Sequence, residues 1–301
     1  MILGVHHIGV IVSDRDATKW LDHIGVARGA WMACPNVYIH VARAVGAPAR
    51  PQPRPVNLPG IAHICLQSRD IDEGVARGTA AGLTPISGPV DLGTPFRYLY
   101  AHTRDGILLE LEGAPFVRDE DPRFWVGHVA FVAVDIEPLV NFYGRALGLK
   151  PSQVSRFNAN ARIDRVAGLT DVDLSAMWLP GFNLGLEFWQ YHHPRAPRDQ
   201  DAPTTGFGHL CFECDDFDAD CARVFDQGGS IDTPTDFGLS KCKTAAFKDI
   251  EGNRFVLIAF DDQDDPMSIK NLSHKDLLAA ISGQLVASQL MASQRVAAKA
   301  V

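Results

Sequence analysis

The sequence has no long apolar run, no excess of basic residues and no basic leader at its start. No hydrophobic stretch approaches the roughly 20 residues that a membrane-spanning helix needs. The formal net charge is −8 at pH 7, which argues against nucleic acid or an anionic membrane as the main partner, since phosphate binding needs a basic surface. The opening MILGVHHIGV lacks the basic region and cleavage site of a signal peptide. These absences predict a cytoplasmic protein without a membrane or nucleic-acid partner.

Cysteine is scarce, with six in 301 residues. The CxxC pair, Cys211 and Cys214, falls in the apolar segment GHLCFECDD, which predicts a strand. Residues three apart on a strand point to opposite faces, so these two thiols cannot bind one metal ion together. We therefore expect buried, reduced thiols instead of a zinc or redox site.

Three segments of the first half of the chain recur in the second half in the same order. Residues 60–72 match 206–218, residues 105–111 match 251–257, and residues 36–41 match 183–188. Two halves of common descent explain this match. The composition, 46% hydrophobic and 21% charged, agrees with it, because it is that of a globular protein, and the chain is long enough for two units with their own cores.

A finer repeat lies inside each half, because four segments open with a His-bearing apolar strand that runs into an aspartate. These segments are 6–14, 62–70, 127–135 and 208–216. Each continues into a helical pattern, clearest from Ile136 to Leu147 with Gly148 as a stop, and each module closes with a second apolar strand. We expect an α+β fold of four β-α-β-β-β modules, with modules one and two over 1–113, modules three and four over 114–263, and an amphipathic helical tail over 264–301.

The opening His strands, the FYGRALGL helix, LEFWQY and the closing DIEGNRFVL strand resemble the vicinal oxygen chelate superfamily over residues 4–260. This superfamily includes glyoxalase I, methylmalonyl-CoA epimerase, fosfomycin and bleomycin resistance proteins, and extradiol dioxygenases. The resemblance implies that the modules pair into two curved, half-barrel-like sheets. It is more specific for the fold than for a reaction.

The resemblance also implies one metal ligand from the first strand and one from the last strand of every module. The matching positions are His7 and His40, His63 and Glu110, His128 and Glu187, and His209 with Val256 in place of a carboxylate. A lone His on an apolar strand is more often a packed core residue. A buried carboxylate is costly unless it is paired, which makes Glu110 and Glu187 informative. Imidazole and carboxylate together suit a divalent zinc, nickel, cobalt, manganese or Fe(II) ion.

The sequence leaves two ways of pairing the modules. Sequential pairing gives two irregular sites. Pairing of the inner modules gives one complete metal set of His63, Glu110, His128 and Glu187. It leaves His7 and His209 as the next candidate ligands, in a decayed site. We favour the inner pairing because both defects, the missing carboxylate at Val256 and the shortened first module, then fall in one site.

The leading functional hypothesis, implied by the resemblance, is a metal-dependent enzyme of the glyoxalase type, a lyase, isomerase or epimerase. Its metal ion would bind two vicinal oxygens of a small carbonyl substrate. Glu110 or Glu187, loosened from the metal ion, would act as the general base. Tyr100 and Trp178 are expected to pack in the core.

Two other functions remain open from the sequence. One is an extradiol dioxygenase, with Fe(II) held by His7, His63 and Glu110 or by His128, His209 and Glu187. The other is a metal-free ligand-binding protein of the bleomycin-resistance type. The amphipathic tail is a candidate contact for a homodimer under each of these hypotheses.

Overall fold

A computed structural model describes residues 1–13, 16–43, 53–92, 96–114, 124–196, 205–262 and 264–272. Over these residues the four predicted modules follow one another, each with an opening strand, a helix and further strands. Module one differs in that a 3-10 helix, Asp16–His23, replaces the α-helix. The predicted α+β class is confirmed. Of the predicted helical tail, residues 273–301 lie outside the described part of the chain.

The elements are numbered in chain order. Module one contains β1 (Ile2–Val12), β2 (Val26–Arg28), β3 (Trp31–Ala33) and β4 (Tyr38–Arg43). Module two contains β5 (Gly60–Ser68), α1 (Ile71–Ala80), β6 (Thr84–Pro85), β7 (Val90–Asp91), β8 (Arg97–His102) and β9 (Leu108–Gly113). Module three contains β10 (Trp125–Val132), α2 (Ile136–Leu147), β11 (Ser155–Phe157), α3 (Ala161–Ala167), β12 (Asp173–Leu179) and β13 (Gly185–His193). Module four contains β14 (Gly206–Cys214), α4 (Phe217–Asp226), β15 (Ser230–Ile231), β16 (Cys242–Lys248) and β17 (Arg254–Phe260).

The modules pair as an inner and an outer couple, and each couple forms one sheet. Modules two and three form the inner sheet, in the order β11-β12-β13-β10-β5-β9-β8-β6, with β7 also paired to β8. Modules one and four form the outer sheet, in the order β15-β16-β17-β14-β1-β4-β3-β2. In each sheet the two opening strands lie side by side and antiparallel. The pairing favoured from the sequence is the one that these sheets have.

Helix α2 has the predicted bounds, and its apolar residues are buried along one face. Gly148 ends the helix in the left-handed conformation, with φ 73°, which glycine adopts without a Cβ clash. At the start of the helix, the Glu251 carboxylate accepts hydrogen bonds from the backbone N–H groups of Val134 and Asp135. A loop of module four therefore binds the backbone that leads into a helix of module three.

Two asparagines at matching positions of the repeat connect the sheets. The Asn36 amide nitrogen donates to the carbonyls of Val126 and Asn183, over 2.8 and 3.0 Å. The Asn183 amide nitrogen donates in return to the carbonyls of Val5 and Asn36, over 2.8 and 2.7 Å. Each side-chain oxygen accepts the N–H of the same valine to which its own amide donates. Both asparagines are buried, so the recurring segments 36–41 and 183–188 begin with a reciprocal link.

Each sheet has one face in a shared core and one face outside it. Side chains alternate between the two faces of a strand, and apolar residues from both sheets pack with α1, α2 and α4 in one large cluster. Smaller clusters cover the opposite face of each sheet. Cys214 lies in the shared core and Cys211 on the opposite face, as predicted for strand residues three apart, and both are buried free thiols.

Candidate metal centre

The register of the inner sheet brings four polar side chains to one face. Ala130 on β10 lies opposite both His63 on β5 and Glu187 on β13. His128 stands two residues before Ala130 and therefore shares its face. Glu110 on β9 completes the group, which we call the inner cluster.

The side chains of the inner cluster converge on a common point. Nε2 of His63 lies 3.2 Å from Oε2 of Glu110 and 3.7 Å from Oε2 of Glu187. Nε2 of His128 lies 3.2 Å from Oε2 of Glu187 and 3.9 Å from Oε2 of Glu110. One ligand atom from each of the four residues lies within 4.8 Å of every other. Ligand atoms that each lie about 2.0–2.2 Å from one cation are separated from one another by distances similar to these four.

The inner cluster has the donor set and the unpaired atoms that a metal ion requires. Nε2 of His63, Nε2 of His128 and Oε2 of Glu187 are buried without a hydrogen bond of good geometry. All four residues are at most 6% exposed. Buried polar atoms without partners are costly and call for an explanation, and two imidazoles with two carboxylates suit a divalent cation. The residues therefore fit the metal that the resemblance implies.

The electrostatics of the inner cluster are dominated by burial and by its two carboxylates. Burial lowers the pKa of His63 to about 3. Burial alone would also lower the pKa of His128, but the charge and hydrogen bond of Glu187, together with the charges of Glu110 and Glu112, outweigh it and raise that pKa to about 9. Burial raises the pKa of Glu110. A bound cation would displace the proton of His128 and supply the positive charge between the carboxylates in its place.

Two aromatic rings lie against the imidazoles of the inner cluster. The Tyr100 ring centroid is 5.0 Å from that of His63, and the Trp178 centroid is 5.1 Å from that of His128. Both aromatic residues were expected to pack in the core. Tyr100 is buried in one of the smaller core clusters, as expected, whereas Trp178 is only partly buried. Both rings share the face of the inner cluster, where they exclude water from its sides.

The sequence analysis missed a third carboxylate, Glu112. It is buried, and its Oε2 accepts hydrogen bonds from Gln67 at 2.9 Å and from the thiol of Cys65 at 3.2 Å. Burial and the negative charge of Glu110 raise the pKa of Glu112 to about 7. The alternation in ILLELEG was the available signal, because residues two apart on a strand share a face.

The remaining predicted ligands lie together on the outer sheet. His209 on β14 and His40 on β4 both lie opposite Gly9 on β1, and His7 stands two residues before Gly9. Val256 on β17 lies opposite Cys211. We call His7, His40, His209 and Val256 the outer cluster. Its members occupy the sheet positions that His128, Glu187, His63 and Glu110 occupy in the inner cluster.

Neither triad of the dioxygenase hypothesis is assembled. His7 and His209 belong to the outer sheet, whereas the other members of the two triads belong to the inner sheet. Among the described residues that were predicted as ligands, only the inner cluster offers two imidazoles and a carboxylate on one sheet face.

Comparison with known proteins agrees with this architecture. Residues 125–257 match the model of the Glyoxalase/Bleomycin resistance protein/Dioxygenase superfamily. The matched residues comprise modules three and four, and the match confirms the resemblance to vicinal oxygen chelate proteins. No curated protein matches the chain. Among the described residues, no helix is long and apolar enough to cross a membrane.

Solved structures similar to this chain include glyoxalase I and a proposed dioxygenase. A glyoxalase I variant from Zea mays aligns with a TM-score of 0.63 and 16% identity over 85% of this chain and 92% of its own. Glyoxalase I from Zea mays aligns with a TM-score of 0.60 and 17% identity over 90% and 96% of the two chains. The proposed dioxygenase, from Bacillus subtilis, aligns with a TM-score of 0.54 and 12% identity over 91% of each chain. At these identities the likeness establishes the fold alone.

Proposed function

We propose that this protein is a divalent-metal-dependent enzyme of the glyoxalase type, with the inner cluster as its active site. Its substrate is a small carbonyl compound that carries a second oxygen on the neighbouring carbon. The reaction is a proton transfer next to the carbonyl, catalysed by an isomerase, epimerase or lyase. The observation that carries this proposal is the convergence of two imidazoles and two carboxylates whose buried atoms have no other partners.

The residues divide into ligands and candidate bases. His63, His128, Glu110 and Glu187 would hold the cation, which supplies Lewis-acid polarisation of the substrate oxygens when bound. Glu110 or Glu187, loosened from the cation, would accept a proton from the carbon beside that carbonyl and return it. The rings of Tyr100 and Trp178 limit water around this step, which strengthens the interactions of the charged groups.

Metal content tests the ligand assignment. The His63→Ala and His128→Ala variants are expected to lose the metal of the inner cluster, measured by elemental analysis after dialysis against limiting Zn²⁺. His193→Ala is the matched control, because this histidine is exposed on the same strand as Glu187. Unchanged metal content in both ligand variants would contradict the proposal.

Isotope exchange tests the reaction. With a panel of α-hydroxy and α-oxo carbonyl compounds in deuterated water, the metal-loaded protein is expected to catalyse deuterium incorporation beside the carbonyl, followed by NMR. Glu110→Gln and Glu187→Gln are both expected to abolish turnover, because an amide cannot accept the proton. Full activity in both variants would rule out their role as bases.

A ring-cleaving dioxygenase is the second candidate, because the inner cluster contains the two imidazoles and one carboxylate that suit a non-haem Fe(II) site. Oxygen consumption with a catechol, together with loss of activity on air oxidation, would favour it over proton transfer. A protein that holds no metal at all would instead favour the metal-free ligand-binding function.

A further inference from the structure

A second line of polar side chains crosses the inner sheet beside the inner cluster. Glu112 follows Glu110 by two residues on β9, so both side chains lie on one face of the sheet, with their backbone positions about 6.5 Å apart. Gln67 on β5 and Tyr98 on β8 lie opposite Glu112, one on each side. Trp125 on β10 lies opposite Gln67. We call these four residues, Tyr98, Glu112, Gln67 and Trp125, the polar row.

Gln67 contributes an acceptor atom that the protein does not use. This residue is 3% exposed, and its Nε2 donates to Oε2 of Glu112 over 2.9 Å. Its Oε1 is buried and accepts no hydrogen bond from the described residues. A buried carbonyl oxygen without a donor is costly and calls for an explanation. A donor group on a bound molecule would provide one.

A glycine holds the Gln67 amide beside the inner cluster. A Cβ at Gly127 would lie 2.5 Å from Cδ, 2.6 Å from Nε2 and 2.9 Å from Oε1 of Gln67. The amide therefore lies against the backbone of Gly127, in space that only a glycine leaves open. Gly127 directly precedes His128 on β10, so the unused acceptor is close to a residue of the inner cluster.

Glu112 also has acceptor capacity to spare. Among the described residues, the hydrogen bonds that it accepts, from Gln67 and from the thiol of Cys65, both end on Oε2. An ionised carboxylate has two oxygens and about four lone-pair sites. Oε1 of Glu112 is thus available to a further donor, next to the unused oxygen of Gln67.

The charge of Glu112 favours a cationic donor. With a divalent ion bound, Glu110 and Glu187 neutralise that ion. The positive group that acts most strongly on Glu112 is His128, and a histidine that binds a metal ion is neutral. A buried carboxylate is costly unless a positive group pairs with it. An ammonium group of a bound molecule would supply this charge and donate to both acceptors.

The outer sheet shows what the matching position does when the chain itself supplies the donors. Glu213 occupies the place of Gln67, because residues 60–72 match 206–218. Its carboxylate accepts hydrogen bonds from the hydroxyl of Ser268 over 2.6 Å and from the N–H of Ile269 over 2.9 Å. Ile269 packs in the cluster that covers this face of the outer sheet. An acceptor at this position therefore binds donors that lie across the sheet face.

We propose that Glu112 and Gln67 are specificity-determining residues, which bind a protonated amino group of the substrate. The substrate class is then an amino-substituted carbonyl compound, with its two neighbouring oxygens at the inner cluster and its ammonium group at the polar row, about 6.5 Å away. A site with hydrogen-bonding groups placed in this way discriminates strongly against analogues that lack the donor. This inference rests on the function proposed above, because both ends belong to one molecule.

Hydroxamic acids test the proposal by binding, without turnover. They chelate a metal ion through two neighbouring oxygens, and their tails can end in an ammonium or a methyl group at graded length. Isothermal titration of the Zn²⁺-loaded full chain is expected to show that the best ammonium probe binds about 10–100-fold more tightly than its methyl counterpart, the effect of one hydrogen bond to a charged group.

Variants assign the preference to the two residues. Glu112→Gln and Gln67→Leu are each expected to reduce the preference for the ammonium probe about 10-fold or more, with the affinity for the methyl probe unchanged. Glu112→Gln keeps the size of the side chain and an acceptor for Cys65, so native circular dichroism is expected. Glu213→Gln, at the matching position of the outer sheet, is the control and should retain the full preference.

The outcomes separate this inference from the proposed function. Equal affinity of wild type for the two kinds of probe would overturn the inference and leave the metal centre intact. A preference that survives both Glu112→Gln and Gln67→Leu would overturn it as well, because the ammonium group would then bind elsewhere. If neither kind of probe binds wild type, the metal centre is contradicted and the inference fails with it.

Gly127→Ala tests the position of the Gln67 amide while both polar residues are kept. The added methyl group should displace the amide, so the preference for the ammonium probe is expected to fall. The affinity for the methyl probe reports on the metal centre and should not change. An unchanged preference in this variant would contradict the placement of the acceptor on which the proposal depends.

Discussion

The two clusters occupy the same positions on two similarly built sheets, yet they carry different charges. In the inner cluster, two carboxylates face two imidazoles, and one of those imidazoles has its pKa raised to about 9. In the outer cluster, His40 stands where the inner sheet has Glu187, and Val256 stands where it has Glu110. The corresponding outer-sheet imidazoles have lowered pKa values.

This difference teaches that the backbone register determines where side chains meet, whereas the residue identities at two positions determine the charge at that point. A site with two carboxylates neutralises a divalent cation by itself and leaves open positions for neutral carbonyl oxygens. The outer cluster supplies no such negative charge, because it has His40 and Val256 at these two positions. The predictions below test this contrast, from the largest expected effect to the smallest.

Replacing Glu110 with Val gives the inner cluster the residue that the outer cluster has at the same position. We expect turnover to fall about 10²–10⁴-fold, the usual contribution of a positioned acid or base. The measurement is the rate of deuterium exchange beside the carbonyl under saturating metal. Val256→Glu is the reciprocal control and should leave this rate unchanged; an active Glu110→Val variant would remove the distinction between the clusters.

Removing metal with a chelator should destabilise the protein at the inner cluster. A site held at a metal concentration 100-fold above its dissociation constant adds about 2.7 kcal/mol to the free energy of unfolding. Thermal melts with and without Zn²⁺ should therefore differ more in wild type than in His128→Ala. A melting temperature that does not change with the chelator would count against metal at the inner cluster.

The asparagine link should be equally important in both halves of the repeat. Asn36→Ala and Asn183→Ala each remove buried hydrogen bonds to the other half, and unsatisfied buried groups cost about 1–3 kcal/mol. Urea denaturation should give similar losses for the two variants. Asn158→Ala, at an exposed position, is the control; a loss confined to one of the two link variants would show that the halves are not equivalent.

Gly9 on β1 and Ala130 on β10 hold matching positions in the two sheets and differ by one methyl group. A Cβ at Gly9 would overlap the His209 ring, so Gly9→Ala should displace that ring and destabilise the fold by about 1–3 kcal/mol, as overpacking does. Ala130→Gly, at the matching inner position, should cost only about 0.5–1 kcal/mol through backbone entropy. Equal stability of Gly9→Ala and wild type in urea denaturation would contradict this packing role of Gly9.

Much of the inner cluster was predictable because its signals are local. A glutamate inside an apolar strand is costly unless something pairs with it, and this marked Glu110 and Glu187 without any structure. The recurring segments that begin at Asn36 and Asn183 revealed the repeat, and the helical spacing after Asp135 predicted α2 and its end at Gly148. Glu112 could have been predicted from the same alternation that marked Glu110.

The sequence by itself determined the modules, their strand faces and the two exceptional carboxylates, Glu110 and Glu187, because each depends on periodicity or on the cost of burying charge. His63 and His128 followed from the family resemblance. Only the tertiary structure decided that module two pairs with module three, since strand pairing across distant segments depends on contacts that no local pattern records. It also decided the environment of the outer cluster. The pairing register of β1 with β14 shifts between Val5 and His7, where the His6 and His7 rings contact each other through their Nδ1 atoms. This ring contact orients His7 toward His209.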